Sequence, residues 1–357
     1  MENKRVLAIN PGSTSTKIAI YYGEECEFVE NIKHSSEEIA NFTKIADQYE
    51  FRKEIILNKL KSTGIDLTTI EAVVGRGGLV KPIKSGVYRI NEALKADLRV
   101  GVLGEHASNL GGLIADDIAK SLPNAKGYIA DPVVVDELED VARFSGHPEI
   151  QRVSIFHALN QKAIARIYAK SLDKKYEELN LIVVHLGGGI SVGAHKKGRV
   201  IDVNQALNGD GPFSPERTGS LPVWELAKLC FSGKYTQDDI KKMITGKGGY
   251  VAYLGTNDAY EVEKRIKAGD DKASLVRDAM AYQVAKEIGS MAAVLEGDVD
   301  GILLTGGIAY DKDFNIYIES KVKFIAPVVP YPGEDEMRAL ALNGLMVING
   351  EVTPSEY

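Results

Sequence analysis

The sequence predicts an α/β protein built from two similar domains, on three observations. Apolar strand-like runs alternate with helical ones along the 357 residues, the pattern of an α/β architecture. That length suits about two domains of roughly 100–200 residues each. One plan also occurs twice: strand, turn of small residues, strand, first in residues 6–21 and again in residues 181–195. A repeat spaced at about half the chain means duplicated domains, because solenoid repeats recur every 20–50 residues or so.

The elements follow in order. After the first hairpin, residues 26–30 read as the third strand of a meander. A polar helix is expected over residues 48–60, with Phe51, Ile55, Ile56 and Leu60 at helical spacing. Residues 70–74 form an apolar strand that ends at Gly75-Arg76-Gly77-Gly78, and residues 82–88 read as a loop. Asn91 is placed to cap a helix starting at Glu92, and residues 106–122 read as another helix. Residues 126–130 make a short strand halted by Asp131-Pro132. The break at Ser145-Gly146-His147-Pro148 marks the expected boundary between a first domain, 1–150, and a second, 151–334. Beyond it come a helix over 157–172, the second hairpin, and a third strand at 199–203. A long helix over 275–295 puts Leu275, Ala279, Tyr282, Ile288, Ala292 and Leu295 on one side. A strand at 301–305 then runs into Gly306-Gly307, and the helical tail within 335–357 is expected to cross back to the first domain.

Composition excludes several classes. The content is 44% hydrophobic and 26% charged, as in an ordinary soluble globular protein. A formal net charge of -7 leaves no basic surplus for nucleic acid. No apolar run approaches the roughly 18 residues that span a bilayer, and Glu2, Lys4 and Arg5 lead straight into a strand rather than a signal peptide. The expectation is a cytoplasmic protein with no nucleic-acid or membrane partner. Cys26 and Cys230, far apart and without a metal-ligand pattern, are expected as free buried thiols. The lone Trp224 is expected in the core, with a place at an interface as the alternative.

The two hairpin turns carry the chemistry. Gly, Ser and Thr between strands offer backbone N–H groups and hydroxyls to an anion without bulky side chains in the way. In the first turn Asn10, Ser13, Ser15 and Lys17 are the candidate phosphate contacts; in the second, Gly187, Gly188 and Gly189, preceded by His185. Three successive glycines weaken a hairpin, so a closely approaching ligand is the expected reason for them. Gly306-Gly307 ends a further strand and suits the flat side of an adenosine. Neither hairpin turn is a Walker loop, nor is it a dinucleotide fingerprint. Together the three turns point to a phosphotransferase.

At this point the chain resembles a known family. From Asn10-Pro11-Gly12-Ser13-Thr14-Ser15 to Pro332-Gly333-Glu334-Asp335-Glu336-Met337-Arg338-Ala339-Leu340-Ala341, it is similar nearly end to end to the acetate and propionate kinases, most closely their butyrate kinase branch. The resemblance places it in the sugar kinase, actin and Hsp70 ATPase superfamily. It implies two duplicated ribonuclease H-like (actin-like ATPase) domains with the active site in an inter-domain cleft. It also implies ATP-dependent phosphorylation of a short-chain carboxylate, giving an acyl phosphate and ADP, in a homodimer or higher homo-oligomer. Two departures from acetate kinases, Gly75-Arg76-Gly77-Gly78 for an Arg-Val-Val-His-Gly-Gly type segment and Gly188 for an asparagine, favour the butyrate branch.

A carboxylate acceptor, with a pKa of about 4 to 5, is already a nucleophile at neutral pH and needs no general base. Its difficulty is approaching an anionic phosphoryl group, so positive charge and alignment should carry the catalysis. Arg76, in its glycine turn, and Arg217, in Pro215-Glu216-Arg217-Thr218-Gly219, are the guanidinium candidates. By resemblance both hold substrate and stabilise the transferring group. In the same way His157 lends the transition state a hydrogen bond, His106 is a further active-site histidine, and Asp131 orients substrate or links to the metal. Magnesium is expected to bridge the outer ATP phosphates with few protein ligands; spacing does not choose between Glu334 and Glu336 as its carboxylate. Branched-chain, propionate or acetate kinases remain alternatives, and a sugar or polyol kinase or a nucleotide-operated regulator stands further off.

Overall fold

Two twisted sheets, each the centre of its own compact unit, organise the computed structural model, which describes residues 4–357. The first unit comprises the residues up to Val135 together with Asp335–Tyr357, and the second is Asp136–Glu334.

In the first unit, β1 (Arg5–Pro11), β2 (Ser15–Tyr22) and β3 (Glu25–Lys33) form an antiparallel meander. β4 (Ile70–Arg76) joins β1 in parallel, and β6 (Lys126–Ala130) joins β4 in parallel. A three-residue edge strand, β5 (Val87–Arg89), pairs antiparallel with β6. The order is β3-β2-β1-β4-β6-β5. The central β1 and β4 are apolar and buried almost throughout, as strands covered on both faces must be. The edge strand β3 keeps Glu25, Glu27 and Lys33 exposed, which discourages pairing with another chain. Helices α1 (Ser36–Ala40), α2 (Tyr49–Ser62), α3 (Glu92–Val100) and α4 (Asn109–Ser121) belong to this unit, as does α12 (Glu336–Ile348), which packs against β1 and β4. Asn91 caps α3 as expected, its Oδ1 accepting the Leu94 N–H at 2.9 Å.

The second unit repeats the plan. β7 (Asn180–Leu186), β8 (Ile190–Lys196) and β9 (Arg199–Val203) are an antiparallel meander, while β10 (Gly301–Gly306) joins β7 and β11 (Val328–Pro332) joins β10 in parallel. The order β11-β10-β7-β8-β9 mirrors β6-β4-β1-β2-β3, so the duplication read from two hairpins extends over five strands. Every residue of β7 is buried. Around this sheet lie α5 (Ala158–Ser171), α6 (Val223–Cys230), α7 (Gln237–Thr245), α8 (Gly249–Leu254), α9 (Ala259–Lys267), α10 (Asp271–Val294) and α11 (Lys312–Val322).

Several expectations need correcting. The division falls at Val135/Asp136 rather than at 150, because residues 136–150 bond to the second sheet: Glu137 Oε2 accepts the Val200 N–H at 2.9 Å, and Glu139 N–H reaches the Ile201 carbonyl at 3.0 Å. Cys26 and Cys230 are free but exposed. Trp224 is 71% exposed on α6, outside the core. On α10, Ile288 and Ala292 are buried, as is Leu295 just past its end, but Leu275 and Tyr282 face out, and Met280, Val284 and Met291 take the core positions. Among the described residues no helix is long and apolar enough to cross a membrane.

Candidate active-site residues in the two units

In the first unit the phosphate-loop candidates sit where β1 turns into β2. Asn10 and Lys17 are cross-strand partners, and the Gly12 N–H closes the turn onto the Ser15 carbonyl at 2.8 Å. Ser13 and Lys17 are exposed and Ser15 half-buried. Sequence reasoning missed what holds this turn. Arg52 of α2 is 1% exposed, and its guanidinium donates to the carbonyls of Gly12 (2.7 Å), Ser15 (3.0 Å) and Ser13 (3.1 Å). Thr16 Oγ1 (3.0 Å) and Gln48 Oε1 (3.1 and 2.7 Å) complete its partners. Burial pushes its pKa down to about 10, so it stays a cation at neutral pH. With those carbonyls turned inward to Arg52, the exposed side of the turn is left to hydroxyls and N–H groups.

Arg76 ends β4 and meets Glu336 from the first turn of α12. Its Nη1 lies 2.9 Å from Glu336 Oε1 and 3.1 Å from Oε2, and it reaches Asn10 Oδ1 at 3.4 Å. Asn10 Nδ2 donates to the same carboxylate. The structure therefore gathers Asn10, Arg76 and Glu336, which lie far apart in sequence. Asp131 directly follows β6 in the left-handed region (φ 36°), 1% exposed, and its Oδ1 accepts the Gly86 N–H at 2.8 Å. A non-glycine residue held there is strained, a mark of functional sites. His106 is exposed ahead of α4; its Nδ1 accepts the Ser108 N–H at 3.2 Å and lies 2.8 Å from Ser108 Oγ.

In the second unit, His185 near the end of β7 and His157 at the start of α5 stack face to face, with ring centroids 3.7 Å apart and planes 9° from parallel. His185 Nδ1 meets Asn160 Oδ1 at 2.8 Å and its Nε2 meets Glu334 Oε1 at 3.1 Å. The two carboxylate candidates thus have different company: Glu334 with His185, Glu336 with Arg76 and Asn10. Among the described residues no cluster of three or more His, Cys, Asp or Glu side chains could by itself hold a metal.

One glycine of the three has a cause that local sequence does not show. A Cβ on Gly189 would lie 1.9 Å from Arg217 Nη1, so this glycine makes room for the guanidinium. Gly187 is buried between His185 and Glu334, whereas Gly188 is exposed and open, with nothing nearer than Glu216 at 3.5 Å. Ser214 ties the two segments together, its hydroxyl donating to the Gly188 carbonyl at 2.5 Å and accepting the Arg217 N–H at 3.2 Å. Arg217 also donates from Nη1 to the Ala206 carbonyl. Its Nε is buried with no partner among the described residues, and burial pushes the guanidinium pKa below its ordinary value. Such an orphaned donor suits an anion. Gly306 adopts φ 93° with its α-carbon against the Leu186 backbone, which only glycine allows, and Gly307 beside it is exposed.

The units therefore offer oriented guanidinium, imidazole and backbone N–H groups, all suited to phosphate and carboxylate oxygens. The acetokinase family profile matches residues 148–315. Butyrate kinase 2 and butyrate kinase 1 of Clostridium acetobutylicum are each 58% identical to this chain over 353 residues, covering 99% of both sequences. Among solved structures, the acetate kinase of Porphyromonas gingivalis superposes with a TM-score of 0.76 at 21% identity, covering 97% of this chain and 100% of that one. That likeness shows the fold, two duplicated domains of the actin-like ATPase type.

Proposed function

Because the chain belongs to the acetokinase family, together with its butyrate kinases, we infer that it is a carboxylate kinase that transfers the γ-phosphoryl group of ATP to butyrate, giving butanoyl phosphate and ADP. The observation that carries this reading is 58% identity with both butyrate kinases along nearly the whole chain.

The geometry supports roles for individual residues. Arg76, poised by Glu336 and Asn10, binds the acceptor carboxylate. Arg217, whose Nε has no partner among the described residues, stabilises charge on the transferring phosphoryl oxygens. His157 donates a hydrogen bond to the same group. The first turn, with Ser13, Ser15 and Lys17, and the second, with Gly187, Gly188 and Gly189, hold phosphate, and Gly306 and Gly307 lie against the adenosine. His185 shapes the second turn; His106 and Asp131 orient the acceptor. No side chain serves as general base, since butyrate arrives ionised.

Magnesium would take hard oxygen donors. Glu336 and the Asn10 carbonyl, already neighbours, fit as the few protein ligands it needs, with Glu334 the other carboxylate candidate. When bound, the ion neutralises charge on the nucleotide phosphates. A homodimer or higher homo-oligomer in the cytoplasm belongs to the same proposal, and sedimentation velocity checks the assembly.

The deciding experiment traps acyl phosphate with hydroxylamine while acids of about two to six carbons are scanned. Each buried methylene is worth about 0.8 kcal/mol, so butyrate should exceed acetate by roughly fifteen-fold in kcat/KM. Isobutyrate or isovalerate ahead of butyrate would move the assignment to a branched-chain acid kinase. No hydroxamate from any acid would refute it.

A further inference from the structure

Behind His157 runs a line of buried polar groups that phosphate binding alone does not require. Ser191, Gly193 and His195 alternate along β8 and so share one face of the strand. There they meet Gln161 of α5, and Gln161, Ser191 and His195 are each 0% exposed. Gln161 Nε2 lies 3.1 Å from the Ser191 carbonyl oxygen and 2.8 Å from Ser191 Oγ. Gln161 Oε1 lies 2.9 Å from His195 Nε2, and Tyr176 Oη lies 2.6 Å from His195 Nδ1. At the other end, Ser191 Oγ is 2.9 Å from His157 Nδ1.

The polarity of this line can be worked out from one atom. A backbone carbonyl only accepts, so the Gln161 atom facing the Ser191 carbonyl must be the amide nitrogen, which fixes the orientation of the side chain. Gln161 Oε1 then faces His195, whose Nε2 must carry hydrogen. A neutral imidazole has one such hydrogen, leaving His195 Nδ1 to accept from the Tyr176 hydroxyl. His195 is neutral: burial pushes its pKa well below the ordinary value, and Lys162 and Arg166 act in the same direction. Ser191 Oγ accepts the second Gln161 N–H, so its own hydrogen is directed to His157 Nδ1.

We propose that Gln161 and Ser191, backed by His195 and Tyr176, are positioning residues that lock His157 in the Nε2–H tautomer and so keep it a hydrogen-bond donor to the transferring phosphoryl group. This rests on the reading of His157 given above. Gly193 supports it independently. Glycine in a strand interior weakens the strand, yet here a Cβ would lie 2.6 Å from Gln161 Oε1 and 3.1 Å from His195 Nε2. The glycine leaves the line its passage.

The test reverses the polarity. In Gln161→Glu an acceptor replaces the donor facing Ser191, the serine hydroxyl turns to the new carboxylate, and His157 is left to donate from Nδ1. Histidine-selective 15N NMR, with His157→Gln assigning the resonance, should show the proton moving from Nε2 to Nδ1. Because a donor to the transition state is then lost, kcat should fall roughly a hundred-fold, with KM for ATP and butyrate within about two-fold of the parent. Ser191→Ala is a smaller change that keeps the packing. It should give a mixed tautomer population and a kcat lowered roughly ten-fold. His157 retaining only the Nε2–H form in these variants, or kcat unchanged, overturns the proposal. The two readings fail separately: a parent that forms no acyl hydroxamate refutes the kinase, whereas an active parent whose tautomer does not respond refutes the relay.

Discussion

Replacing Arg52 with methionine keeps much of the side-chain volume but removes every donor beneath the first turn. In the native protein the guanidinium serves three backbone carbonyls, those of Gly12, Ser13 and Ser15, besides Thr16 and Gln48. A buried acceptor left without a donor costs about 1–3 kcal/mol. Ser15 keeps the Gly12 N–H, so the acceptors left bare are the Gly12 and Ser13 carbonyls and Gln48 Oε1. These set an upper range of about 3–9 kcal/mol, and water reaching the exposed tip at Ser13 and Thr14 offsets part of it. A net loss of about 3–5 kcal/mol is expected, in line with breaking a buried charged network. Arg52→Lys, with three donors in place of five N–H groups, should lose roughly half as much. The only tryptophan, Trp224, lies in the second unit and would not report the change. Far-ultraviolet circular dichroism in urea gives the stability, and hydrogen-exchange mass spectrometry over residues 10–17 gives the local opening. The KM for ATP should rise in parallel with that opening. If Arg52→Met loses under about 1 kcal/mol and leaves both exchange and KM untouched, the idea that this buried cation shapes the turn is wrong.

Three further outcomes are expected. Arg76→Ala or Arg217→Ala should lower kcat by roughly 10²–10³, whereas Asp131→Asn, which keeps an acceptor for the Gly86 N–H, should cost less; the reverse order in saturating-ATP kinetics would point to a general base and a hydroxyl acceptor. Gly189→Ala should mimic loss of Arg217, because its Cβ would lie 1.9 Å from the guanidinium, while Gly188→Ala meets only Glu216 at 3.5 Å and should alter KM for ATP without loss of stability. With the His195 pKa held down in the fold, the unfolded chain binds the extra proton below about pH 6.5, so stability should decline as pH falls from there, by up to about 1.4 kcal/mol per pH unit for this group. His195→Gln should flatten that slope in urea titrations at several pH values, and parallel slopes would reject the linkage.

The elements that were legible in the sequence share a clear local signal. β1 with β2 and β7 with β8 are apolar runs broken by small residues, and Asn91 ahead of α3 is a recognisable cap. β11 was hidden by Pro330 and Pro332 and by its half-exposed edge position, and β5 by its three-residue length. α6 to α9 carry few buried residues, so their apolar spacing gave little to read. Arg52 could have been found. It falls on the same helical stripe as Ile56 and Leu60, all buried, and a charge in an apolar stripe requires partners. Glu336 with Arg76 could not, because only the return of α12 to the first sheet brings them together. The need for glycine at 189 could not be read locally either, because an arginine about thirty residues later takes the space.

That return also has a consequence for biosynthesis. A nascent chain emerging from the ribosome exposes the first sheet early, but the helix covering β1 and β4 is translated only after the whole second unit. Tyr357 is itself anchored, its hydroxyl donating to Asp97 Oδ2 at 2.6 Å. The second unit, continuous in sequence, can complete itself during synthesis, whereas the first waits with an open apolar face. Deleting α12 should therefore harm the first unit most, and chaperones should find their main client there.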